Sequence, residues 1–399
     1  QPDNVISAPT LKRVHSAPPQ TEDNYAAKHP AYFHAPQNTV RQKPTAILPH
    51  CYLMAITGKT HKQSKTTNQK RPEMRRKLIL MLALAAATLC SSAANKYDNP
   101  DTLVVARDGT GEFRTIDEAI EVCRAFMEYH KVIYVKKGVY KEKLIVPQWL
   151  TNIEILGEDR DNTVITYDDH ANIKSAERPK GIGTFRTYTV KVEGSDITFR
   201  NITIENNSAR LGQAVAIHTE GDRLIFVNCR LLGHQDTVYT GIAGTRLLFK
   251  DCYIEGTTDF IFGPSTAWFE NCTIHSKSNS YITAASTPKD RPYGYIFNNC
   301  RLTADAGITN VYLGRPWRPY AYTLFMNCDM GTHIRPEGWH NWRKKENETT
   351  ARYMEYNNRG EGSKTDKRAG WSRQLTKKEA AKITMSKVFG INDSWEPEY

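Results

Sequence analysis

The sequence predicts an all-β fold: a right-handed parallel β-helix with short capping helices near both ends. A repeat is the first reason. Phe followed closely by Asn or Asp, then by Ile or Cys, recurs as FRNITI at 199, FVNCRL at 226, FKDCYI at 249, FENCTI at 269, FNNCRL at 297 and FMNCDM at 325. The interval between these Phe is similar from unit to unit but not constant, so the register can drift. The second reason is the composition of each unit. Short alternating segments rich in Ile, Val, Thr, Phe and Tyr read as strands, and Asn, Gly and Asp mark the bends between them. A β repeat of this length is a solenoid. Leucine-rich repeats are the rival, but they need Leu at fixed places in every unit, and that is absent here. Successive coils then lie ~4.8 Å apart. Phe and Ile or Cys point inward as ladders, and each coil buries its face only against its neighbours.

The N-terminal part is different. Residues 1–73 are rich in Pro, Gln, Thr, His and Lys and keep no apolar period, so they read as a disordered leader. Residues 74–94 read as a signal peptide. Arg75, Arg76 and Lys77 form its charged start, residues 78–89 its apolar stretch, and Ser-Ser-Ala-Ala at 91–94 a cleavage site. The apolar run is shorter than the ~20 residues a membrane span needs. Cys90 suggests lipidation, but Leu89 before it is a poor match to the small residue expected there. The expectation is a start at Met74, with residues 1–73 as upstream read-through. The mature protein is then secreted or periplasmic, with no stable membrane insertion after cleavage. Charge agrees with this division. Residues 1–94 hold 13 of the 54 basic and 4 of the 43 acidic residues, so +9 of the net +11 belongs to the leader. The rest is nearly balanced, and no nucleic-acid partner is expected.

The solenoid domain is expected over 97–399. Residues 104–107 read as a strand and 109–113 as a turn. Residues 115–129 read as a helix, because Ile116, Ala119, Ile120 and Cys123 share a helical spacing and Thr115 and Glu118 suit a capping box. This helix would cap the open end of the stack. Residues 376–388 read as a second helix, with Thr376 and Glu379 as its capping box. Residues 336–373 carry little pattern and read as loops along the outside. Of the eight Cys, Cys51 and Cys90 fall in the leader. Cys229, Cys252, Cys272, Cys300 and Cys328 all follow an Asn or Asp at one register position. A buried ladder of free thiols is favoured over disulfides between coils, which the coil spacing permits. No CxxC or paired-His spacing occurs, so neither a metal nor a cofactor is expected.

The chemistry gathers in GQAVAI at 212, GHQDTVYT at 233 and GTTDFIFG at 256. Gln213, Asp236 and Asp259 are evenly spaced, at the same interval as Phe226 and Phe249. If a coil here takes that interval, the three stand in one column. Two carboxylates ~5 Å apart do not both ionise freely, so one is pushed toward its neutral form. An acid and a nucleophile or base result from identical residues. A cation keeps one ionised instead. Arg315, in YLGRPWRPY at 312, shares a register with Asp259, since each lies ten positions before a repeat Phe. It is two coils away, a span its side chain is expected to bridge only partly. A lone Asp more often caps a turn. Two Asp beside Gln213, Gln235, Arg315, Tyr239, Phe262 and Trp317 point to a site. His234 has no Ser or Cys at a spacing that makes a triad.

In this order, GQAVAI, GHQDTVYT, GTTDFIFG and YLGRPW resemble the pectin methylesterases (pectinesterases). VARDGTGEFRTIDEAI at 105 and GVYKEKL at 138 resemble the first segments of that family. The resemblance spans about residues 100–395, and the expected kind is a bacterial secreted enzyme. The family fold is the parallel β-helix already read from the repeat. The resemblance implies a carboxylic ester hydrolase acting on methyl-esterified galacturonate in pectin. Its products are pectate and methanol, formed through an aspartyl acyl-enzyme. It implies Asp259 as nucleophile and Asp236 as the acid that protonates methanol and then activates water. Gln213 and Gln235 donate to the oxyanion, and Arg315 orients Asp259 and keeps it ionised. Thr184, Gln213, Tyr239, Phe262, Arg315 and Trp317 are the implied substrate contacts. Val238 stands where Leu is common and Thr258 where Val is common; neither removes a functional group. A monomer is the default, since no coiled-coil pattern occurs. A β-helical lyase would want a calcium cluster and a glycoside hydrolase two acids about a glycosidic bond; the amides and Arg315 favour acyl chemistry. The five intact polar residues argue against an inactive carbohydrate-binding β-helix.

Overall fold

The structure, a computed structural model, describes residues 95–391 and 393–399. The leader and signal segment expected over 1–94 lie outside the described residues. From Leu103 onward the chain winds through three sheets. An eleven-stranded sheet runs from Leu103–Val105 to Arg373–Gln374. A seven-stranded sheet runs from Leu144–Val146 to Tyr312–Gly314, and an eight-stranded one from Gly138–Lys141 to Asp329–Met330. The pairings are parallel, and neighbours in a sheet come from successive coils. This is the expected right-handed parallel β-helix.

The repeat now has a physical meaning. Phe199, Phe226, Phe249, Phe269, Phe297 and Phe325 are fully buried. They stack ring on ring, with interplanar angles of 5–9° and centroids 4.3–5.3 Å apart. Two positions after each Phe the chain turns. Asn201, Asn228, Asp251, Asn271, Asn299 and Asn327 hold φ between 50° and 57°, a left-handed conformation that Asn and Asp tolerate best among residues with a Cβ. The five Cys that follow these turns are free and buried. Each thiol donates to the carbonyl of the Phe one coil back, at 3.3–3.5 Å. Cys suits the position because it is small and apolar yet carries a weak donor.

The ends depart from expectation. The helix expected over 115–129 is only Ile116–Glu121, although Thr115 and Glu118 do form the capping box. Beyond it the chain is tied to other segments. Arg124 and Tyr129 both reach Asp98 at 2.8 Å, and the Phe126 N–H donates to the Trp149 carbonyl. The fully buried Lys131 closes this end by donating to the carbonyls of Tyr97 and Asn99. The helix expected over 376–388 is two, Lys377–Ala380 and Met385–Phe389, because Thr384 starts a new N-cap in an extended conformation. The region 336–373 does not lie wholly outside. Arg352–Tyr356 adds a strand to the eleven-stranded sheet. Trp339 stacks 4.4 Å from Tyr353, and both are buried. Glu355 accepts from Arg368 at 2.8 Å and from the Trp339 indole at 3.1 Å, which closes the far end. Among the described residues no helix is long and apolar enough to cross a membrane.

Phe249→Ala removes a ring stacked on both sides, and its loss is expected to destabilise the protein by about 3–5 kcal/mol in urea denaturation. A change under about 1 kcal/mol would show that the ladder is not core.

Candidate active site

Side chains alternate across each strand of the seven-stranded sheet. Ile217, Val238 and Ile261 are fully buried in the core. Their successors His218, Tyr239 and Phe262 stand in register on the outer face, followed by Ala284. They build an aromatic strip. Tyr239 stacks on Phe262 at 4.7 Å, and Trp317 meets Phe262 edge-on at 5.9 Å. Phe185 lies 4.9 Å from Tyr239. Thr184 itself is buried, in the short 3₁₀ turn Thr184–Arg186, with its carbonyl accepting from Thr187. Its half-buried neighbour Phe185 reaches the strip, a contact the sequence reading misses. At the other end Lys191 pairs with Glu193 at 2.7 Å and Glu220 at 3.2 Å. The hydrogen bond with His218 and the Lys191 charge hold the Glu220 carboxyl down at about 2. Burial pushes the His218 imidazole toward its neutral form.

The two carboxylates sit just before strands Val238–Thr240 and Ile261–Gly263. Asp236 and Asp259 have φ of 68° and 50°, so both use the left-handed turn conformation. Their register is one coil apart: the Asp236 N–H donates to the Thr258 carbonyl, and the strands that follow pair Val238 with Ile261. Both are buried. Tight backbone approach explains the flanking glycines of GTTDFIFG. A Cβ on Gly256 would lie 2.6 Å from the His234 carbonyl, and one on Gly263, at φ 129°, 2.1 Å from the Thr240 carbonyl.

The single column of Gln213, Asp236 and Asp259 needs correction. The Ala214 N–H donates to the Gln235 carbonyl, while strand pairing sets Ile217 against Val238. Both matches fall short of the interval that separates Gln213 from Asp236, so this coil is shorter than the next. Gln213 therefore stands beside Gln235, and Asp236 beside Asp259, as two adjacent columns. Both Gln are half-buried, and neither side-chain amide has a hydrogen-bond partner among the described residues. The turn that carries Gln235 is braced from outside. Thr237 Oγ1 donates to the His234 and Glu255 carbonyls, and Lys277 Nζ to the Gly233 carbonyl and Glu255.

Arg315 follows strand Tyr312–Gly314, two coils beyond Asp259. The expectation that it would bridge this span only partly is overturned. Its Nε donates to Asp259 Oδ1 at 2.9 Å and its Nη2 to Oδ2 at 2.5 Å. Such a fork engages both oxygens of a carboxylate. Burial pushes the Asp259 carboxyl above its usual range, and the hydrogen bonds and charge of Arg315 oppose it. Burial is thus the largest influence on the Asp259 carboxyl, and Arg315 the group that opposes it. The guanidinium also lies against the rings of Tyr281 and Trp342, neither of which the sequence reading singles out. Among the described residues no group of three or more His, Cys, Asp or Glu is arranged to hold a metal ion.

Comparison with known proteins gives this geometry a context. The model of the family described as Pectinesterase matches residues 102–392. Pectinesterase 31 of Arabidopsis thaliana is 40% identical over 281 residues, covering 69% of this chain and 88% of its own. A probable pectinesterase/pectinesterase inhibitor of Brassica napus is 36% identical over 296 residues, 71% of this chain and 49% of its own length. The chain thus spans about half of that relative. Among solved structures, the pectin methylesterase from carrot superposes with a TM-score of 0.68 at 32% identity, covering 74% of this chain and 95% of that one. The pectin methylesterase from Erwinia chrysanthemi gives 0.65 at 29% identity, covering 74% and 98%. These sequence relatives are plant proteins, so the bacterial qualifier finds no support in them. With its fold and most of its described length matched, the chain belongs to the pectinesterase family.

Proposed function

We propose that this chain removes methyl groups from methyl-esterified galacturonate in pectin, through an acyl-enzyme on Asp259. One observation carries the residue assignment: the two-point grip of Arg315 on the buried Asp259. A buried carboxylate shed of water is a strong nucleophile, provided a cation keeps it ionised. Asp259 attacks the ester carbonyl. The oxyanion that forms is met by the side-by-side amides of Gln213 and Gln235, which have no other partner among the described residues. Asp236 gives its proton to the departing methanol. It then takes a proton from water, which attacks the acyl carbon and frees Asp259 and the galacturonate. The half-buried Tyr239, Trp317 and Phe185 offer flat faces along the strip to the sugar rings, packed against the buried Phe262.

Two finer readings go with this. The segment 74–94 directs export, supported by its charged start, apolar stretch and small residues. The enzyme acts as a monomer, the default for a sequence without a coiled-coil pattern.

With highly methylated pectin, the purified protein is expected to release methanol without unsaturated products or new reducing ends. Asp259→Ala lowers this by at least about a thousandfold while pectin binding persists; unchanged turnover refutes the nucleophile. Arg315→Ala removes the group that opposes burial, so the Asp259 carboxyl rises further. The nucleophile must be ionised, so the acid limb of the kcat–pH profile is expected to move to higher pH. An unmoved limb would separate Arg315 from the ionisation of Asp259. N-terminal sequencing of the exported protein is expected to start near Asn95, and peptides from 1–73 in it would contradict the export reading.

A further inference from the structure

Arg315 reaches Asp259 across two coils on a long, flexible side chain, and something must hold it there. Its guanidinium carbon lies 3.9 Å from the ring centroid of Tyr281 and 3.7 Å from that of Trp342. The two rings come from different parts of the fold. Tyr281 opens strand Tyr281–Ala285, which lies between Ile261–Gly263 and Tyr312–Gly314 in the sheet. It stacks on Tyr312 at 5.2 Å and 12°. Trp342 comes from the loop region beyond the last strand of that sheet. Trp342 and Arg343 hold φ of 60° and 57°, where bulky side chains are outliers. Strained backbone persists only where surroundings over-determine it, and it clusters at functional sites. Here the Trp342 N–H donates to His340 Nδ1 at 3.1 Å, and the Arg343 N–H to Asn341 Oδ1 at 2.9 Å. The strained loop places one indole.

We propose that Tyr281 and Trp342 are positioning residues that clamp the Arg315 guanidinium in the plane its fork needs to grip Asp259. This rests on the reading of Asp259 as nucleophile. Each ring attracts the cation through its face, and a planar guanidinium between rings keeps its Nε and Nη2 edge free for the carboxylate. The other charged or titratable groups nearby are Asp236, one coil before Asp259, and His340, Arg335, Arg343, Tyr312 and the buried Tyr353. Burial, with the charges of Arg315, Arg343 and Arg335, pushes the His340 imidazole toward its neutral form, the form in which Nδ1 accepts from the Trp342 N–H.

Tyr281→Leu and Trp342→Leu in the full chain test the clamp. Each is expected to lower kcat on methylated pectin about tenfold and to move the acid limb to higher pH. Tyr281→Phe and Trp342→Phe keep a ring face and are expected to restore the wild-type limb. Trp317→Leu, which loses a contact to Phe262, is expected to raise KM with the limb in place. Where a Leu variant shows a lowered Tm, the Met variant fills the volume without a ring and takes its place. Wild-type kcat and limb in the ringless variants overturn the clamp. So does a fall in kcat with the limb unmoved, which marks a merely structural role. Asp259→Ala in the same assay separates the two readings. If it stays active, the nucleophile assignment fails. If it is dead while the ringless variants behave as wild type, only the clamp fails.

Discussion

No coil of this solenoid has a core of its own. Parallel pairing of each coil with the next is the constraint on which everything else depends. It stacks the Phe rings, aligns the αL turns at Asn and Asp, and lets each Cys thiol reach the carbonyl of the coil before it. It also builds the site. Side chains remote in sequence become neighbours only because the backbone ladder carries them into columns. Asp259 and Arg315 are far apart in the chain and meet because two coil repeats separate them. A change in coil length of one residue therefore moves a functional group into another column.

That sensitivity explains what is legible in the sequence and what is hidden. The Phe-Asn-Cys unit is readable because one steric demand, an αL residue between two inward side chains, recurs in coil after coil. The Asp236–Asp259 column is readable for the same reason, since the coil joining them repeats the interval from Phe226 to Phe249. Gln213 is misplaced by spacing because the ladder loses one residue at Ala214 and another by Ile217, and composition carries no trace of such a slip. The helices read too long because their apolar spacing is real, but the chain after Glu121 is held by Asp98 and Trp149 instead. The last coil escapes notice because it occurs once and has Glu355 where Phe would stand, a charge buried against Arg368.

Tyr281 and Trp342 mark a different limit. Tyr281 sits one coil after Asp259, whose N–H donates to its carbonyl, so its column is accessible from spacing alone. Its role is not, because a Tyr opening a strand is ordinary. Trp342 belongs to no repeat, and only the folded loop sets it over Arg315. A cation pinned by flat rings leaves almost no periodic signal, since the contact is made across coils by unrelated segments.

The two aspartates start from the same chemistry and the same turn conformation, so the division of labour proposed for them must come from surroundings. Mutual repulsion is the simplest way to separate them, and the structure adds a second asymmetry. Asp259 is buried and gripped by Arg315, and removing one partner of such a buried pair leaves a charge that costs about 3–5 kcal/mol. The pair is therefore poised: burial favours the neutral acid, the fork favours the anion, and the balance depends on how well the fork is aligned. A carboxylate in that position is less hydrated than one in water, and the Arg315 fork opposes the pull of burial toward the neutral acid, the balance on which the proposed attack on an ester carbonyl depends. On the proposed reading of Asp259 as nucleophile, the precision of the Arg315 geometry therefore bears directly on its ionisation.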